Sequence, residues 1–309
     1  MRALPALVLT AGQGTRLDPL TRLTAKAAVP LGGRTLIEHV LDWVKDQGVV
    51  EVVMNLHHLP ATITSVVGDG AHLGLSVRYS WEQPLLGSAG GPRRALPLLA
   101  SDEFLMVNGD TLCTFDVAPM IDAHTRRGAD VTMAVVPNPD PNHYNGLIVD
   151  NDGVVTGFAP RGQAAGTWHF IGVQVARSSA FADLPDGVTS ETVAGFYRDV
   201  IRGTPGRIRA WQARTSFLDV GTPRDYLQAA LNTSAGVTAN GRRVVIWPEA
   251  QVSEGADLDE CIVAGPVRVP SGFRARSSVL LPEAVLKAGD RAAVRDGIAV
   301  FDLYGNPIA

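Results

Sequence analysis

Residues 4–16 read LPALVLTAGQGTR, an apolar run that meets a glycine-rich turn. The run predicts a buried strand, and the turn lets backbone N–H groups approach phosphate oxygens without interference from Cβ atoms. Thr15 adds a hydroxyl donor, and Arg16 adds a planar cation that can bind a phosphate through two hydrogen bonds. A dinucleotide-binding fingerprint needs a small residue in place of Leu17, and a P-loop needs Gly-Lys-Ser/Thr, so both motifs are excluded.

Strand and helix patterns alternate after this opening, which predicts a doubly wound, mostly parallel α/β sheet. The predicted strands are Leu4–Thr10, Val50–Asn55, Ser76–Ser80, Glu103–Val107 and Asp130–Val136. The predicted helices are Thr35–Gln47, Pro60–Val67, Gly91–Leu99, Val117–Arg127, Thr192–Arg202 and Arg224–Ser234. Between them, residues 146–175 predict short strands that extend the sheet over a site.

The tail departs from this pattern, because the helical periodicity ends at Arg242 and apolar residues then recur every six positions. The recurring residues are Ile246, Val252 and Leu258 in one series, and Val267, Phe273, Val279 and Val285 in a second. Such a period predicts a small left-handed β-helix of hexapeptides, and the alternative is a set of hairpins with accidental spacing. The predicted domains are therefore a larger α/β domain over residues 1–236 and a β-helix-like domain over residues 237–309.

Composition limits the classes of function. The chain has 309 residues, 46% of them hydrophobic, and a net charge of -4, which is typical of a globular protein and does not favour nucleic acid as a partner. Its two cysteines, Cys113 and Cys261, are far apart in sequence, so a disulfide framework is not expected. The apolar opening is too short for a signal peptide, and no stretch has the length of a membrane span, so a cytoplasmic location is predicted.

Two aspartates occur where a strand pattern meets a turn. Asp110 ends Val107-Asn108-Gly109-Asp110, and Asp219 lies within Phe217-Leu218-Asp219-Val220-Gly221. Ligands bind at the carboxyl ends of strands in open α/β sheets, and Mg²⁺ prefers one or two carboxylates together with phosphate oxygens. The alternative is that Asp110 caps a turn and Asp219 caps the helix that begins near Pro223.

The glycine-rich string resembles the signature of the sugar-1-phosphate nucleotidyltransferases, a family with a Rossmann-like catalytic domain. The segments 82–90, 107–110, 144–146, 168–173 and 217–223 match the family in the order it requires. The resemblance implies catalytic roles for Arg16, Lys26 and Asp110, and Mg²⁺ held by Asp110 and Asp219. It implies nucleotide contacts from Ala11, Gly12, Gly14, Thr15, Arg16, Glu82, Gly87, Ser88 and Asn108. It implies sugar contacts from Gly109, Asn145, Gly146, Arg161, His169 and Gly172.

The expected reaction transfers a nucleoside monophosphate from a nucleoside triphosphate to a sugar 1-phosphate and releases pyrophosphate. The residues Val53–Leu59 and the Gly87–Gly90 loop are most similar to mannose-1-phosphate guanylyltransferases, with uridylyltransferases acting on N-acetylated or other hexose 1-phosphates as the alternative. The implied partners are these two substrates and a second copy of the chain, through the C-terminal region.

Three positions depart from the family pattern. Relatives commonly carry asparagine at His169, where a neutral histidine could hydrogen-bond a sugar hydroxyl or pack beneath the site. A Glu-Lys-Pro string usually follows the position of Phe158, but this chain has Ala159, Pro160 and Arg161. Lys26 is flanked by alanines where prolines are common. These departures keep open a further alternative, a homologue that binds nucleotide sugars without turning them over.

Overall fold

The computed structural model describes residues 4–232, 243–290 and 292–306. The chain forms two compact units, which are described separately. Unit 1 comprises residues up to 12, 38–60 and 67–217, and unit 2 comprises residues 13–37, 61–66 and those from 218 onward. The predicted domain boundary between residues 236 and 237 lies outside the described residues. No helix in the described part of the chain is both long enough and apolar enough to cross a membrane.

The helices lie mainly in the first three quarters of the chain. They are α1 Leu36–Asp46, α2 Pro60–Val67, α3 Gly87–Leu99, α4 Ala118–Arg127, α5 Ser178–Ala182, α6 Tyr197–Gly203 and α7 Pro223–Leu231. Short 3₁₀ turns occupy Thr15–Leu17, Leu20–Arg22, Lys26–Ala28, Ala71–Leu73 and Glu283–Val285, and a π-helical turn occupies Thr192–Phe196.

The strands continue to the end of the described chain. Those before α7 are β1 Ala6–Leu9, β2 Pro30–Leu31, β3 Arg34–Thr35, β4 Glu51–Leu56, β5 Ser76–Trp81, β6 Glu103–Asn108, β7 Thr111–Cys113, β8 Val131–Pro137, β9 Gly146–Val149, β10 Val155–Ala159, β11 Trp168–Arg177, β12 Ile208–Gln212 and β13 Phe217–Asp219. Those after α7 are β14 Val244–Ile246, β15 Gln251–Val252, β16 Asp257–Asp259, β17 Cys261–Val263, β18 Arg268–Val269, β19 Arg274–Arg276, β20 Ser278–Pro282, β21 Ala293–Arg295 and β22 Ile298–Asp302.

Unit 1 is built on one sheet with the strand order β10-β9-β11-β6-β1-β4-β5, in which β8 pairs with β11 and β12. The four strands β6, β1, β4 and β5 are parallel, whereas β11 is antiparallel to both β6 and β8. Nearly every residue of β1, β4 and β6 is buried, as expected for parallel strands covered on both faces. The predicted α/β fold with a central parallel sheet is therefore confirmed.

The strand order creates a crevice at the carboxyl ends of β1 and β6. From β1 the chain continues to β4 and β5 on one side, and it returns to pair β6 on the other side of β1. Such a reversal leaves a gap between the connections that follow the two central strands, and ligands of open α/β sheets bind there. The glycine-rich loop follows β1, and Asn108-Gly109-Asp110 ends β6, so both predicted motifs start at this edge.

Helix α3 and strand β12 are among the elements of unit 1 that differ from the sequence expectation, as are the unpredicted β7 and α5. Helix α3 begins at Gly87, four residues before the predicted start, because the carbonyl of Ser190 accepts from the N–H groups of Ala89 and Gly90 in its first turn. Strand β12 was not predicted, since its alternating Arg209 and Trp211 are only half-buried along the edge of the sheet. The start of α3 and the formation of β12 therefore both depend on contacts with residues that are distant in sequence.

The tail of unit 2 contains four parallel ladders, one of which joins β17 to β20 through the pairs Ile262↔Val279 and Val263↔Leu280. Strand β14 pairs with β17, β15 with β18 and β16 with β19, and the partners are 17 residues apart in each case, as in Val244↔Cys261, Gln251↔Arg268 and Asp257↔Arg274. Hairpins cannot give parallel pairs, so that alternative holds only for the antiparallel pairs β20–β22 and β22–β21, and β20 also pairs in parallel with β17. The left-handed β-helix stays a prediction, and two of its inward positions are wrong: Ile246 is 41% exposed, and Val285 lies in a 3₁₀ turn.

The segment after the glycine-rich loop is joined to this tail by a cluster around Arg22, whose side chain is only 8% exposed. Its guanidinium donates to Asp18 at 2.9 and 2.6 Å and also to Asp290, and it lies 5.1 Å from the ring centroid of Phe301. Burial opposes ionisation of Asp18, but the hydrogen bonds and charge of Arg22 outweigh it, so the pKa of Asp18 is below its usual value. The pKa of Asp290 is lowered by Arg22 and by the backbone N–H of Lys287.

Candidate active site

The glycine-rich loop adopts a conformation that explains its second glycine. Gly14 has a φ of 62°, and a Cβ there would lie 2.8 Å from Cγ2 of Thr21 and 3.0 Å from Cβ of Lys26. The loop then enters a 3₁₀ turn in which the N–H of Leu17 donates to the carbonyl of Gly14 at 2.9 Å. Leu17 is buried, whereas Thr15 and Arg16 remain exposed. The turn is thus anchored by Leu17 and presents its polar residues to solvent.

Three predicted residues meet within unit 2. Nη2 of Arg16 lies 4.0 Å from Oδ2 of Asp219, and Nζ of Lys26 lies 3.9 Å from Oδ1 of the same carboxylate. The side chain of Lys26 is 11% exposed, but that of Arg16 is 60% exposed. The exposed guanidinium of Arg16 is the part of this cluster that a phosphate can reach.

The alternative role for Asp219 as a helix cap is excluded. Helix α7 is capped by Thr222, whose side chain accepts from the N–H of Asp225, while the Asp225 carboxylate accepts from the N–H of Thr222 at 2.9 Å. This reciprocal pair satisfies the first turn of the helix without Asp219. Gly221 lies beside this cluster, and a Cβ there would lie 3.2 Å from Nη1 of Arg16.

In unit 1, the predicted residues at the end of β6 pack against neighbouring strands. A Cβ at Gly109 would lie 2.6 Å from Cγ2 of Thr10, and a Cβ at Gly172 would lie 3.1 Å from Cβ of Asn108. Gly172 has a φ of 79° in the irregular stretch of β11 between Phe170 and Gln174. Both predicted sugar-contacting glycines thus have a packing role that brings Asn108 close to β11. Their contacts with a sugar stay a prediction, as does the role of Asp110 in the same stretch.

Glu82 belongs to a buried network rather than to an open loop, because its side chain is almost fully shielded. One carboxylate oxygen accepts from Nδ2 of Asn55 at 2.7 Å, and the other accepts from the N–H of Leu86 at 2.8 Å. Oδ1 of Asn55 in turn accepts from the N–H of Thr10 at 2.7 Å, which connects the carboxyl ends of β1 and β4. The carboxylate also contacts Gly91, where a Cβ would clash with it. Glu82 therefore fixes the loop that carries Gly87 and Ser88.

That loop is held from the other side by Glu191, a residue with no signal in the sequence. Its carboxylate accepts from the N–H and from the hydroxyl of Ser88, at 3.2 and 2.5 Å. Gly87 has a φ of 77°, and a Cβ there would lie 2.6 Å from Oε1 of Glu191. Sequence reasoning missed both Asn55 and Glu191. Asn55 could have been noticed as a polar residue that ends the apolar run of β4, but Glu191 could not.

The predicted sugar-contacting residues of the β9–β11 region lie around a cluster of rings. The ring of His169 is 4.2 Å from that of Tyr144 and 4.9 Å from that of Phe217, measured between centroids. Oδ1 of Asn145 accepts from the N–H of Arg161 at 3.0 Å, and Gly146 packs against Thr167 so closely that a Cβ would clash. Arg161 is exposed. The structure therefore brings Asn145, Arg161 and His169 into one region of unit 1.

Burial lowers the pKa of His169 to about 4, despite a hydrogen bond to the backbone of Asn145. We therefore expect the ring to be neutral at pH 7 and to begin to protonate only as the pH approaches 4. The ring C2 proton should hold a constant NMR shift from pH 8 to about 5.5, with assignment by a His169→Gln variant. Because the folded pKa is depressed, this group should reduce the stability of the fold as the pH falls from about 6.5 towards 4. A titration midpoint of the His169 C2 proton near pH 6.5 would contradict the prediction that this ring is buried and neutral.

The predicted residues divide between the two units. Unit 2 carries Gly14, Thr15, Arg16, Lys26 and Asp219, and unit 1 carries Ala11, Gly12, Glu82, Gly87, Ser88, Asn108, Gly109, Asp110, Asn145, Gly146, Arg161, His169 and Gly172. Within the described ranges, no group of three or more His, Cys, Asp or Glu side chains is arranged to hold a metal. A Mg²⁺ site built from two carboxylates and substrate oxygens therefore stays a prediction.

Comparison with known proteins places these features in context. Residues 5–236 match the family model described as nucleotidyl transferase. Mannose-1-phosphate guanylyltransferase of Mycobacterium tuberculosis is 26% identical over 292 residues, which cover 86% of this chain and 81% of that protein. N-acetylmuramate alpha-1-phosphate uridylyltransferase of Neisseria meningitidis is 32% identical over 222 residues, covering 70% of this chain and 93% of that protein.

A solved structure shares the fold. It is HddC from Yersinia pseudotuberculosis complexed with GMP-PN, which is 23% identical, has a TM-score of 0.65, and covers 74% of this chain and 99% of its own.

Proposed function

Because the chain belongs to the nucleotidyl transferase family, we propose that it joins GTP to mannose 1-phosphate, forming a nucleotide sugar and releasing pyrophosphate. The observation that carries this proposal is the cluster of Arg16, Lys26 and Asp219 directly after the glycine-rich loop, where two cations lie within 4 Å of one carboxylate. Anionic triphosphates need such gathered cations in a chain whose overall net charge is -4. We place the reaction in the cytoplasm, and we assign any oligomer to the C-terminal region.

The proposed reaction is an in-line displacement. A phosphate oxygen of the sugar 1-phosphate attacks the α-phosphorus, a new P–O bond forms, and pyrophosphate leaves from the opposite side with the electrons of the broken bond. The attacking phosphate is already ionised at neutral pH, so the protein contributes positioning and charge neutralisation rather than a general base. Arg16 neutralises the departing pyrophosphate, and Lys26 bridges phosphates near the reacting centre.

Mg²⁺ fits the donor chemistry of the chain. Asp110 and Asp219 are the residues that would hold it, and two carboxylates with substrate oxygens are the ligand set that Mg²⁺ prefers. When bound, the ion supplies positive charge to the phosphate oxygens. In the chain itself, Nζ of Lys26 and Nη2 of Arg16 lie 3.9 and 4.0 Å from the two oxygens of Asp219.

The substrate pair is a choice between two groups of relatives. Relatives named for mannose-1-phosphate guanylyl transfer align with most of the chain. One of them aligns with 93% of the chain, which includes part of the tail. The relative named for uridylyl transfer to N-acetylmuramate 1-phosphate has the higher identity, 32%, but over 70% of the chain. Coverage alone does not separate the two groups, since a relative named for uridylyl transfer to glucose 1-phosphate covers 89% of the chain. We favour GTP with mannose 1-phosphate because several relatives carry that name, and UTP with an N-acetylated or other hexose 1-phosphate is the second candidate.

The test measures pyrophosphate release in the presence of Mg²⁺. Each common nucleoside triphosphate is paired with mannose, glucose, N-acetylglucosamine and N-acetylmuramate 1-phosphates. We expect sugar-dependent release with GTP and mannose 1-phosphate, and a loss of about 100-fold or more in the Asp110→Asn variant. Asp122→Asn, an exposed carboxylate on α4, is the matched control and should retain activity.

The outcomes separate the candidates. Preferential release with UTP and an N-acetylated sugar would replace the proposed pair by the second candidate. Release that depends on sugar but is unchanged in Asp110→Asn would contradict the role given to this carboxylate. If no pair of substrates gives pyrophosphate release but a nucleotide sugar binds tightly, the chain is a homologue that binds nucleotide sugars without turning them over.

A further inference from the structure

A cavity of about 530 Å³ opens in unit 1 between α4, β12 and the turn at residues 150–153. Its volume lies in the range of small-molecule sites in proteins. None of the residues predicted for nucleotide, sugar or metal binding lines it. We refer to it as the α4–β12 cavity, and its polar lining includes Arg126, Arg127, Asp152, Arg209 and Gln212.

The charges of the lining are unbalanced, because three arginines face one aspartate. Within the described part of the chain, none of the guanidinium groups of Arg126, Arg127 and Arg209 forms an ion pair within 4 Å. Nearby arginines of the same unit behave differently, since Arg207 is paired with Asp130 and Arg202 lies 3.8 Å from Asp199. A concentration of positive charge that the protein itself does not neutralise is characteristic of an anion-binding site.

Two of these guanidinium groups converge on a single neutral acceptor. Nη1 of Arg127 donates to the carbonyl of Asp152 at 3.1 Å, and Nη1 of Arg209 donates to the same carbonyl at 3.3 Å. Nε of Arg209 is buried and has no hydrogen-bond partner among the described residues. Like charges brought together this way repel each other, and a buried donor without a partner costs stability. An anion beside the two guanidinium groups would offset their repulsion.

The shared carbonyl is held in position by a well-ordered turn. The carboxylate of Asp150 accepts from the N–H groups of Asp152 and Val154, at 3.0 and 2.8 Å. Gly153 has a φ of 79°, and a Cβ there would lie 3.1 Å from Nη1 of Arg127. The turn therefore requires glycine where the guanidinium approaches, and it fixes the two arginines before any ligand arrives.

We propose that the α4–β12 cavity binds a small phosphorylated molecule through Arg127 and Arg209. A phosphate has the charge and the several acceptor oxygens that two planar guanidinium groups recognise with paired hydrogen bonds. Arg126 adds a third cation. Trp211, which also lines the cavity and stacks on Phe115 at 5.6 Å, supplies an apolar wall for the rest of the molecule.

The test is calorimetric titration of the full chain with inorganic phosphate at constant ionic strength. We expect binding that weakens at least about tenfold in the Arg127→Gln/Arg209→Gln variant, which corresponds to the loss of one charge-assisted hydrogen bond. Arg202→Gln removes an exposed arginine of the same unit that is outside the cavity, and it should bind like the unaltered chain. Equal phosphate affinity in the double variant and the control would overturn the proposal.

Thermal unfolding gives a second readout, in which phosphate bound at other sites contributes equally to the unaltered chain and to the double variant. Without phosphate, the double variant should melt at the same temperature as the unaltered chain or higher, because the repulsion between the guanidinium groups is removed. Phosphate should raise the melting temperature of the unaltered chain more than that of the double variant. A double variant that melts lower and keeps the full phosphate response would show that the arginines only support the fold. If the double variant does not fold, the single variant Arg127→Gln, at an exposed residue, allows the same comparison of melting temperatures with and without phosphate.

Two further titrations distinguish the sources of the phosphate. Glucose 6-phosphate carries its phosphate away from the anomeric carbon, so it tests a sugar phosphate that is not of the proposed substrate class. GDP tests a nucleotide. A ligand that binds more tightly than inorganic phosphate, and that loses this advantage in the double variant, identifies the class that the cavity takes.

Discussion

Replacing Arg16 by alanine is expected to lower kcat for pyrophosphate release by about 10²–10³, equivalent to about 2.7–4 kcal/mol of transition-state stabilisation. The reason is that negative charge moves onto the departing pyrophosphate as the bond to the α-phosphorus breaks. The guanidinium is 60% exposed, and its contact with Asp219 is long at 4.0 Å. Its removal should therefore affect the reaction and leave the fold intact.

The measurement is steady-state kinetics with the active substrate pair, accompanied by thermal unfolding of each variant. Arg202→Ala serves as the control, because this arginine is also highly exposed and also lies near one aspartate. Arg16→Lys should recover part of the activity, since it restores the charge but not the planar pair of donors. A rise in KM with unchanged kcat would show that Arg16 binds the triphosphate equally in the ground state and in the transition state.

Replacing Arg22 by methionine is expected to reduce the free energy of unfolding by about 2–3 kcal/mol. Methionine keeps most of the apolar stem, which allows the contact with Phe301 to persist, but it leaves the carboxylates of Asp18 and Asp290 without their shared cation. Both carboxylates keep some contact with solvent, so the cost should be lower than for a fully buried pair. Urea denaturation measures the change.

The control for this variant is Lys287→Met, which removes the more exposed cation that lies 3.5 Å from Asp18. Its effect should stay within about 1 kcal/mol, as for other surface ion pairs. The pKa values of Asp18 and Asp290 are depressed in the folded state, so their stabilisation is present above the unfolded value of about 3.9 and is lost as the pH falls further. Arg22→Met should weaken this acid dependence. An unfolding curve that matches the unaltered chain at every pH would contradict the role of the cluster.

The sequence was sufficient for the sheet of unit 1, because its central strands are buried on both faces. β1, β4 and β6 are therefore continuous apolar runs that end in glycine or polar residues, which is a strong local signal. The same reasoning placed Asn108-Gly109-Asp110 and the glycine-rich loop at one edge of the sheet. Helix α3 was placed too late since its first turn depends on Ser190, a residue more than a hundred positions away.

The tail shows how a small error in period changes the predicted interior. In the structure, paired residues of successive coils are 17 positions apart. A coil built from three sides of six residues each would be one residue longer than this spacing. Because side chains alternate between the two faces of a strand, a drift of one residue per coil turns an inward position outward. Ile246 is 41% exposed although it pairs with the buried Val263, whereas Leu258, Phe273 and Val279 are buried as predicted. The role of Glu191 at Ser88 depends on a contact across 103 positions and had no local signal.

The contact between Arg22 and Asp290 spans 268 positions, and this has a consequence for synthesis on the ribosome. Chains emerge from the amino end, so Asp18 and Arg22 leave the exit tunnel long before the residues that hold them. The sheet of unit 1 can form meanwhile, since its strands end by Gln212. The glycine-rich turn, although encoded first, should be among the last parts to reach its final geometry. Nascent chains stalled before residue 290 would then be largely folded but inactive, and full activity would follow only their release.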